Sequence, residues 1–528
     1  MSKHLSNFHY FCPTPAKHLI NQPLKRRTLV HFYKILVLLV LGFVSIRVAA
    51  QPSFIIHNQF ATARENHLQK GEDSTSAMVI QQGGFKTSKT AILPVTLTTQ
   101  FNSHHPYGYN DASFIPAAGL QSQLTFGAHF KAGPVKLLLQ PELIYAANPT
   151  YPVNGSYGYS SGKPYTKLYG GQSTLSVSAS SFSVGVSTAN KWWGPGVTNA
   201  LIMSNNAPGF ANIFIKTHRP AKTPIGNFEF ELVGGRLESD STLPYENFHL
   251  KSSPNLRNSW RYINAYILSY NPKWLPGVYV GLIRSLQKYG PGIAEGKGSF
   301  TNKYIPIVTK TFQKKNDWGD DTLSIDQVAS FFVRIVFPKS KSELYVEYGK
   351  NDYGERTRDY LMAPTHSVAH IVGFKKIVTL NKNRYLNLGI EFTQMSQSPD
   401  AILRTAGNWY VHGQIGQGYT NYNQIMGVGS GFGANKQMVM GTWVSGNNRI
   451  GLFIEKTNRD PENRSIFWTD MAYGITPQYT LHNFTLAAQL VFIASKNYMW
   501  ENKNNISNFH AKLAVTYPIT NLKNDSKN

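Results

Sequence analysis

The feature that most constrains the fold of this chain is an alternation of apolar and polar residues that recurs in many segments after Thr90. In ELYVEYG, residues 343–349, every second residue is apolar and the intervening ones include two glutamates. The same pattern appears in FEFEL (228–232), YLNLGIEFT (385–393) and RIGLFIEK (449–456). A period of two is typical of β-strands with one apolar and one polar face, whereas helical periodicity is almost absent.

The connections between these segments separate two architectures that use such strands. A soluble sandwich buries the apolar faces between two sheets, whereas a membrane barrel turns them outward to lipid. Here short and long connections alternate, as periplasmic turns and extracellular loops do in outer-membrane barrels. The tight turns are predicted near Lys131, Asn271, Pro338, Asn381, Gly446 and Gln478, and the long loops near residues 147–166, 191–212, 236–260, 288–326, 352–367, 396–435 and 495–506.

The sequence therefore predicts an all-β chain that forms a transmembrane antiparallel outer-membrane β-barrel of about 18 strands. The barrel is predicted over residues 91–518, and residues 519–528 form a C-terminal tail. The last predicted strand ends in the aromatic Tyr517, which suits insertion by the barrel-assembly machinery. This places the protein in the outer membrane of a Gram-negative bacterium, with surface-exposed loops.

The first 50 residues have the pattern of a secretory signal peptide. They hold seven Lys and Arg and no Asp or Glu, and a 12-residue apolar core, residues 35–46, precedes a predicted cut after Ala50. An uncleaved anchor helix is the alternative, but 12 apolar residues fall short of the ~20 that span a bilayer. Residues 51–90 then form a short N-terminal segment in the periplasm or lower lumen, with one predicted helix over residues 58–71.

Cysteine usage and charge restrict the chemistry and the partners. The only cysteine, Cys12, lies within the leader, so the exported chain has no disulfide and no cysteine-ligated metal. The 478 residues after Ala50 carry 45 Lys and Arg against 28 Asp and Glu, a net charge of +17. Such a charge suits anionic polymers or lipid head groups, and we expect no nucleic acid as a partner.

The sequence contains no recognisable catalytic motif, which predicts a protein that is not an enzyme and needs no cofactor. A nucleophile elbow, a P-loop and an H-E-x-x-H zinc motif are all missing. The pair His104 and His105 and the acidic run at residues 317–321 lack the spacing of metal sites, so no metal is predicted. A Ser and His pair brought together by folding stays open at this level.

Six charged side chains fall on the polar, lumen-facing side of their predicted strands: Glu229, Glu231, Arg334, Glu347, Glu391 and Glu455. Across the turn at residues 338–342, Arg334 is expected opposite Tyr345 and diagonal to Glu343 and Glu347. Such charges either line an aqueous pore or pair across strands and close the lumen. Both interpretations remain open from the sequence.

The stretch KWWGPGVTNALIMSNNAPGF, residues 191–210, is unlike the alternating segments around it. Its two tryptophans, Gly-Pro-Gly turn and Ser-Asn-Asn-Ala-Pro run resemble the motif of the capsule assembly protein Wzi family, and residues 343–376 resemble a second recurring block of that family. The resemblance extends over most of residues 91–517. Its motif residues are Trp192, Trp193, Gly194, Pro195, Gly196, Leu201, Ser204, Asn205, Asn206, Ala207 and Pro208.

The resemblance implies an eighteen-stranded outer-membrane barrel that acts as a lectin and helps attach capsular polysaccharide to the cell surface. It implies neither an enzyme nor the export pore. Family members can carry an N-terminal helical bundle that blocks the periplasmic mouth, but residues 51–90 are short for one. We expect the motif loop to enter the lumen, with Trp192 and Trp193 as packing or interfacial residues or as stacking faces for sugars.

The long outer loops carry the predicted glycan contacts. Residues 288–318 mix lysines with aromatic residues, and residues 407–424 are rich in Tyr, Asn and Gln. Cationic and aromatic side chains together suit an anionic polysaccharide. The partners expected are therefore capsular or other surface polysaccharide and outer-membrane lipid, and a diffusion channel for small solutes is the alternative function. The candidate contacts are Lys288, Tyr289, Lys303, Tyr304, Lys314, Lys315, Trp318, Trp409, Tyr410 and Tyr419.

Overall fold

The computed structural model describes most of the chain after the predicted leader. The described residues are 56–71, 74–80, 90–152, 161–240, 259–290, 293, 300–305, 307, 325–351, 365–397, 407–412, 415–461, 465–481 and 484–518. The predicted signal peptide and the C-terminal tail after residue 518 lie outside these ranges.

Eighteen antiparallel strands form a closed barrel, which confirms the predicted fold class and strand number. Each strand pairs with the next one along the chain, and the first pairs with the last. The strands are β1 Ala91–Asn102, β2 Gly119–Ala132, β3 Val135–Leu139 with Glu142–Ala146, β4 Tyr165–Tyr169 with Thr174–Ala179, β5 Phe182–Ser187, β6 Ala211–Thr217 with Ala221–Thr223, β7 Gly226–Leu237, β8 Arg261–Pro272, β9 Val278–Tyr289, β10 Asp326–Phe337, β11 Ser342–Asn351, β12 Val368–Asn381, β13 Arg384–Gln394, β14 Asn435–Ser445, β15 Asn448–Arg459, β16 Trp468–Leu481, β17 Phe484–Lys496 and β18 Ile506–Tyr517.

Three strands are interrupted at residues that disturb a β-ladder. The break in β3 contains Pro141 and the break in β6 contains Pro220, and proline has no N–H to donate to a neighbouring strand. The break in β4 contains Gly171, whose φ of 57° lies in the left-handed region. Both segments of each interrupted strand remain paired within the barrel sheet.

Few helices accompany the barrel in the described part of the chain. They are α1 Ile56–Lys70, α2 Phe300–Tyr304 and a 3₁₀ turn at Tyr498–Trp500. A small hairpin, Thr420–Asn421 with Gln424–Ile425, stands apart from the barrel sheet within the β13–β14 loop. No helix among the described residues has both the length and the apolar character needed to cross a membrane.

The two ends of the barrel differ as predicted. The connections that follow the even-numbered strands are short turns, and those that follow the odd-numbered strands are longer loops. We call these the turn end and the loop end, which correspond to the periplasmic and extracellular ends of outer-membrane barrels.

The alternation of residues separates the lipid-facing wall from the lumen. On β15, Leu452 and Ile454 are 62% and 52% exposed, whereas the next residue, Glu455, is only 3% exposed. Similar apolar side chains on the other strands point outward and form the band that meets lipid. Burial on the other face shows that the lumen is filled rather than open along this wall.

The turn-end half of the lumen contains the N-terminal segment. Arg64 and Glu65 of α1 are buried among wall residues, where Arg64 binds Glu343 (3.1 Å) and Glu65 accepts a hydrogen bond from Tyr385 (2.8 Å). The segment that follows continues inward, and Ile80 forms a β-bridge with Trp193 of the β5–β6 loop. The short N-terminal segment thus lies inside the barrel.

Candidate functional site

The motif that stands out in the sequence, residues 191–210, runs through the lumen. Trp192 and Trp193 are fully buried, away from the lipid interface. The N–H of Trp193 donates to Met203 O (3.0 Å), and the N–H of Gly194 donates to Val79 O (2.9 Å). The two tryptophans therefore pack the interior, where they offer no free face to a sugar in this arrangement.

Carboxylates on the wall hold this loop in place. Glu231 of β7 accepts hydrogen bonds from the indole N–H of Trp193 (2.9 Å) and from Lys191 Nζ (2.7 Å). A buried carboxylate is costly unless it is paired and hydrogen-bonded, and here both conditions are met. The pairing explains why a glutamate occurs on the interior face of an apolar strand.

Glu391 of β13 makes a denser set of contacts with the same loop. Its carboxylate oxygens accept hydrogen bonds from the backbone N–H groups of Val197 (2.6 Å), Thr198 (3.1 Å) and Asn199 (2.9 Å). They also accept hydrogen bonds from the hydroxyl groups of Thr198 and Tyr345, the latter at 2.7 Å. Three successive N–H groups around one carboxylate form an anion-binding concavity, so Glu391 fixes the backbone of the loop.

Two glycines of the motif are required because neighbouring atoms lie too close to leave room for a Cβ. Gly194 has a φ of 130°, and a Cβ there would lie 2.8 Å from Oε2 of Glu347. A Cβ at Gly196 would lie 2.0 Å from the carbonyl oxygen of Asn199. A side chain at Gly194 would push the loop away from the wall, whereas a side chain at Gly196 would disrupt the turn itself, so both glycines serve the packing of the lumen.

The second half of the motif joins this loop to the β13–β14 loop. Ser204 Oγ donates to Gly427 O (2.5 Å) and Asn206 Nδ2 donates to Ile425 O (2.9 Å). The carbonyl of Pro208 accepts a hydrogen bond from Asn421 Nδ2 (2.9 Å), and Asn205 is buried. These side chains brace two loops against each other.

Four of the candidate glycan contacts are corrected by the structure from surface to interior positions: Tyr289, Trp409, Tyr410 and Tyr419 are buried. The reason is that the β13–β14 loop folds into the barrel. The guanidinium of Arg261 donates to Gly418 O (2.7 Å) and Thr420 O (2.8 Å), and Tyr410 OH donates to Leu201 O (2.7 Å).

The other candidates lie elsewhere or outside the described residues. Lys288 is on the outward face of β9, and Lys303 and Tyr304 belong to α2. This helix lies beside the outward-facing Tyr262, whose hydroxyl donates to Tyr304 O (2.5 Å). Lys314, Lys315 and Trp318 lie outside the described residues, so the predicted contacts do not come together in one described surface.

All six predicted lumen charges point inward and are buried: Glu229, Glu231, Arg334, Glu347, Glu391 and Glu455. They bind the inserted segments or one another. Arg334 pairs in register with Tyr345 and forms an ion pair with Glu343 (2.5 Å), and Lys436 pairs with Glu455 (2.9 Å). In the described residues these charges therefore hold a closed interior together.

A cluster at the loop end has the composition of a sugar-binding surface. It consists of Lys167, Tyr169, Asp240, Tyr422 and Asn423, and we call it the Tyr422 cluster. Lys167 Nζ lies 4.0 Å from the ring centroid of Tyr422 and 2.7 Å from Asp240 Oδ2. The rings of Tyr169 and Tyr422 are 5.1 Å apart, and Asn423 Nδ2 donates to Asp240 O (3.0 Å).

The backbone of the Tyr422 cluster is held in an uncommon conformation. Tyr422 and Asn423 occupy the turn of the small hairpin with φ values of 47° and 61°. Asparagine tolerates the left-handed region, whereas a bulky residue such as tyrosine rarely adopts it. Burial raises the pKa of Tyr422, so its hydroxyl stays protonated and can donate a hydrogen bond.

Sequence reasoning missed this cluster although its central residue lies within the Tyr- and Asn-rich loop that was singled out. Asn423 between two short extended pairs is the available signal, since two-residue hairpin turns favour asparagine, which tolerates positive φ. Lys167 comes from strand β4 and Asp240 from the β7–β8 loop. Only the folded barrel brings these regions together.

A second part of the rim contains a serine, a histidine and an aspartate near one another. Ser495 Oγ donates to Asp470 Oδ1 (2.6 Å) and lies 3.5 Å from Nε2 of His105. In an acyl-transfer relay the histidine binds both the serine and the acid, whereas here the serine is bonded to the acid directly. All three side chains are buried, so the arrangement is one of packing.

His105 in this region provides a pH-dependent prediction. Burial lowers its pKa to about 4, with Asp470 opposing the shift and Arg459 and His104 adding to it. Because the folded pKa lies below the unfolded value of about 6.5, the stabilisation is complete above pH 6.5 and is lost as the pH falls towards 4, up to about 3 kcal/mol.

The measurement is hydrogen exchange of residues 103–118 and 497–505 at pH 7 and pH 4.5, corrected for the intrinsic exchange rates. We expect local opening at the lower pH in the wild type and a much smaller change in His105→Phe. Equal pH dependence in both proteins would contradict a role for His105.

Comparison with known proteins agrees with the barrel fold described above. A family model described as "Capsule assembly protein Wzi" matches residues 102–507. By structure, the chain is similar to Wzi of Escherichia coli, described as an outer membrane protein involved in group 1 capsule assembly and a carbohydrate-binding β-barrel. The two are 14% identical with a TM-score of 0.56, and the match covers 89% of this chain and 90% of that one.

More distant structural matches include OccK5 (OpdH) of Pseudomonas aeruginosa, 10% identical with a TM-score of 0.40, covering 83% of this chain and all of that one. A BenF-like porin of Pseudomonas fluorescens is 11% identical with a TM-score of 0.40, covering 82% of this chain and 99% of that one. A search of curated proteins by sequence found no match.

Proposed function

Because this chain belongs to the capsule assembly protein Wzi family and is an outer-membrane protein, we propose that it binds capsular polysaccharide and helps attach the capsule at the cell surface. In this proposal it acts without catalysis, as a lectin. The polysaccharide is anionic, in keeping with the net charge of +17 after the predicted leader.

The observation that carries the proposal is the Tyr422 cluster. The half-buried ring of Tyr422 offers an apolar face to a pyranose ring, and its hydroxyl can donate a hydrogen bond to a sugar oxygen. Asp240 is buried and bound to Lys167 and to the hydroxyl of Tyr165 (2.9 Å), and the side chain of Asn423 is bonded to the Asp240 backbone, so these two residues hold the cluster in place. Lys167, whose side chain is 28% exposed, adds a positive charge that attracts an acidic sugar. Lys303, Tyr304, Lys314, Lys315 and Trp318 remain predicted contacts from the sequence.

The filled lumen supports attachment rather than diffusion. A diffusion channel needs a continuous water path, whereas here the N-terminal segment, the motif loop and the β13–β14 loop pack with the wall in one apolar cluster. This cluster includes Ile80, Trp193, Leu201 and Trp409. Loops braced in this way would also present the small hairpin at a defined position on the outer surface.

The experiment is binding of the purified, detergent-solubilised protein to capsular polysaccharide from its own bacterium, measured over a salt series. We expect saturable binding that weakens as salt is raised, since screening reduces charge attraction. Tyr422→Ala is expected to weaken binding about 10-fold, because stacked aromatic contacts and their hydrogen bonds are worth about 1–2 kcal/mol. Asp240→Asn removes the carboxylate charge that holds Lys167 beside Tyr422 and tests this support of the cluster.

Two matched controls come from another part of the rim. Trp500→Ala removes a partly exposed aromatic residue, and Glu501→Gln removes an exposed carboxylate; neither belongs to the cluster. If both controls lost as much polysaccharide binding as Tyr422→Ala, the Tyr422 cluster would not be the binding site. Absence of binding by the wild type, together with steady conductance in planar bilayers, would overturn the lectin function.

A further inference from the structure

All acidic residues on the described barrel strands face the lumen, whereas basic residues lie on both faces of the wall. Every acidic residue on these strands is buried, and the nine are Glu142, Glu229, Glu231, Asp326, Glu343, Glu347, Glu391, Glu455 and Asp470. The charged residues on the outward faces are Lys or Arg. Charges of one sign on a membrane-facing wall indicate a partner of the opposite sign there.

Four of the outward basic residues are grouped at the loop end of strands β7, β9 and β11: Arg236, Arg284, Lys288 and Lys350. We call them the loop-end basic patch. The alternation of each strand places them on the outside. Arg236 is an exposed residue on the outward face of β7, and Lys350 lies on the same face of β11 as the exposed Val346 and Tyr348. They come from three strands, so only the pairing of these strands through β8 and β10 forms the patch.

The strand register sets the spacing of the patch in two rows. In one row, Arg236 and Lys288 flank Tyr262 of β8. In the other row, Arg284 and Lys350 flank Ala329 of β10. Two strand spacings separate the cations of each row, about 10 Å. Ala329, with a short side chain, is the residue that lies between Arg284 and Lys350 in this row.

Neighbouring groups orient these cations without removing them from the outer face. Arg284 donates to Gln327 Oε1 (3.0 Å) and Lys350 Nζ donates to His366 O (3.1 Å). Arg236 forms an exposed ion pair with Glu238 and lies over the ring of Trp260, 4.9 Å from its centroid. The second row, Arg284 and Lys350, is therefore the stronger part of the patch.

The position of the patch along the strands places it at the membrane surface. Leu268 of β8 and Leu282 of β9 lie on the same outward faces, nearer the turn end, and each is 40% exposed. They belong to the lipid-facing band, and Arg284 and Lys350 lie just beyond its loop-end edge, at the depth of lipid head groups.

Closer to the loop end, Asn264 and Leu286 on the same outward faces are each 2% exposed, and the N–H of Ile307 donates to Asn264 Oδ1 (3.2 Å), so the β9–β10 loop covers the wall between the two rows. Phe300 of α2, 69% exposed, adds an aromatic residue at this level.

We propose that the loop-end basic patch binds the phosphate groups of a phosphorylated glycolipid in the outer leaflet of the outer membrane. Arginine and lysine bind phosphate oxygens through charge-assisted hydrogen bonds, and Tyr262 and Phe300 contact the boundary between head group and acyl chain. The lipid anchors the wall beside the β9–β10 loop. This role is separate from glycan binding at the Tyr422 cluster and does not depend on it.

The test uses the full-length protein in dodecyl maltoside and measures retention of diphosphorylated lipid A by native mass spectrometry and by a fluorescent lipid-displacement assay. The triple variant Arg284→Gln/Lys288→Gln/Lys350→Gln is expected to weaken lipid binding at least 10-fold. The control triple Lys222→Gln/Lys382→Gln/Arg384→Gln removes the same charge at the turn end and is expected to bind like the wild type.

Two further variants distinguish a binding site of defined shape from binding that depends on net charge alone. Lys288→Arg/Lys350→Arg keeps the charge and is expected to retain the lipid. Ala329→Leu keeps every charge but places a larger side chain between Arg284 and Lys350, and is expected to weaken binding several-fold. All variants are checked for the heat-dependent gel shift of a folded barrel, so that a loss of lipid is not confused with misfolding.

The arms of the assay identify the source of the phosphate. Dephosphorylated lipid A is expected to bind weakly, and millimolar inorganic phosphate is expected not to displace the diphosphorylated lipid. Equal lipid retention by both triple variants, or displacement by inorganic phosphate alone, would overturn the proposal. It would also be overturned if the patch variant kept the lipid but lost capsular polysaccharide, because the patch would then belong to the glycan surface.

Discussion

Replacing Glu343 by alanine is expected to destabilise the folded barrel severely. The carboxylate of Glu343 lies between two guanidinium groups, with Arg64 of α1 at 3.1 Å and Arg334 of β10 at 2.5 Å. All three side chains are buried. Without the carboxylate, two positive charges face each other in the interior, which costs about 3–5 kcal/mol.

Because Arg64 belongs to the inserted segment and not to the wall, we expect the damage to appear first as release of the N-terminal segment. The measurement is limited proteolysis of residues 56–80 in folded, detergent-solubilised protein, together with urea unfolding. Arg64 also donates to Pro195 O (2.6 Å), so its release loosens the motif loop as well. Protease sites that are protected in the wild type should become accessible in Glu343→Ala.

The matched control is Arg64→Met, which removes one cation but leaves the Arg334–Glu343 pair intact. It is expected to cost clearly less than Glu343→Ala, since no uncompensated charge of the same sign remains. The double variant Arg64→Met/Glu343→Gln should recover part of the stability lost in Glu343→Ala. If both single variants were equally stable and equally resistant to protease, the triad would not hold the segment.

Replacing Glu391 by alanine is expected to open the lumen at the motif loop. The substitution removes the acceptor for three backbone N–H groups, of Val197, Thr198 and Asn199, and for two hydroxyl groups. Each buried donor left without a partner costs about 1–3 kcal/mol. The loop can avoid this cost by moving to water, so we expect local release with the barrel still folded.

Two measurements check this expectation. Hydrogen exchange of residues 197–199 should accelerate by at least 100-fold, and planar bilayers should show conductance steps that the wild type lacks. Binding of polysaccharide should also weaken, because Ser204 and Asn206 brace the β13–β14 loop that carries the Tyr422 cluster. The control is Gln394→Ala, an exposed residue on the same strand. Unchanged exchange and conductance in Glu391→Ala would contradict the role given to this carboxylate.

Much of the wall could be predicted from the sequence because a strand has only two faces. Once the alternation assigned Ile454 to lipid, Glu455 had to face the lumen, and the same reasoning placed Arg334 opposite Tyr345. The polar partners of these charges could not be predicted. Glu391 binds backbone groups from a loop nearly two hundred residues away, and backbone N–H groups have no sequence pattern that identifies their acceptor.

By itself the sequence determined the barrel, its strand number, its two different ends and its family, since these depend on local alternation, turn residues and one compact motif. Only the tertiary structure decided which loops enter the lumen, and therefore that Trp409, Tyr410 and Tyr419 are interior residues while Tyr422 lies at the rim. Loops have no periodicity, so the side that each residue faces is set by packing against distant parts of the chain. The Tyr422 cluster and the loop-end basic patch exist for the same reason: folding of the barrel places residues from separate strands and loops side by side.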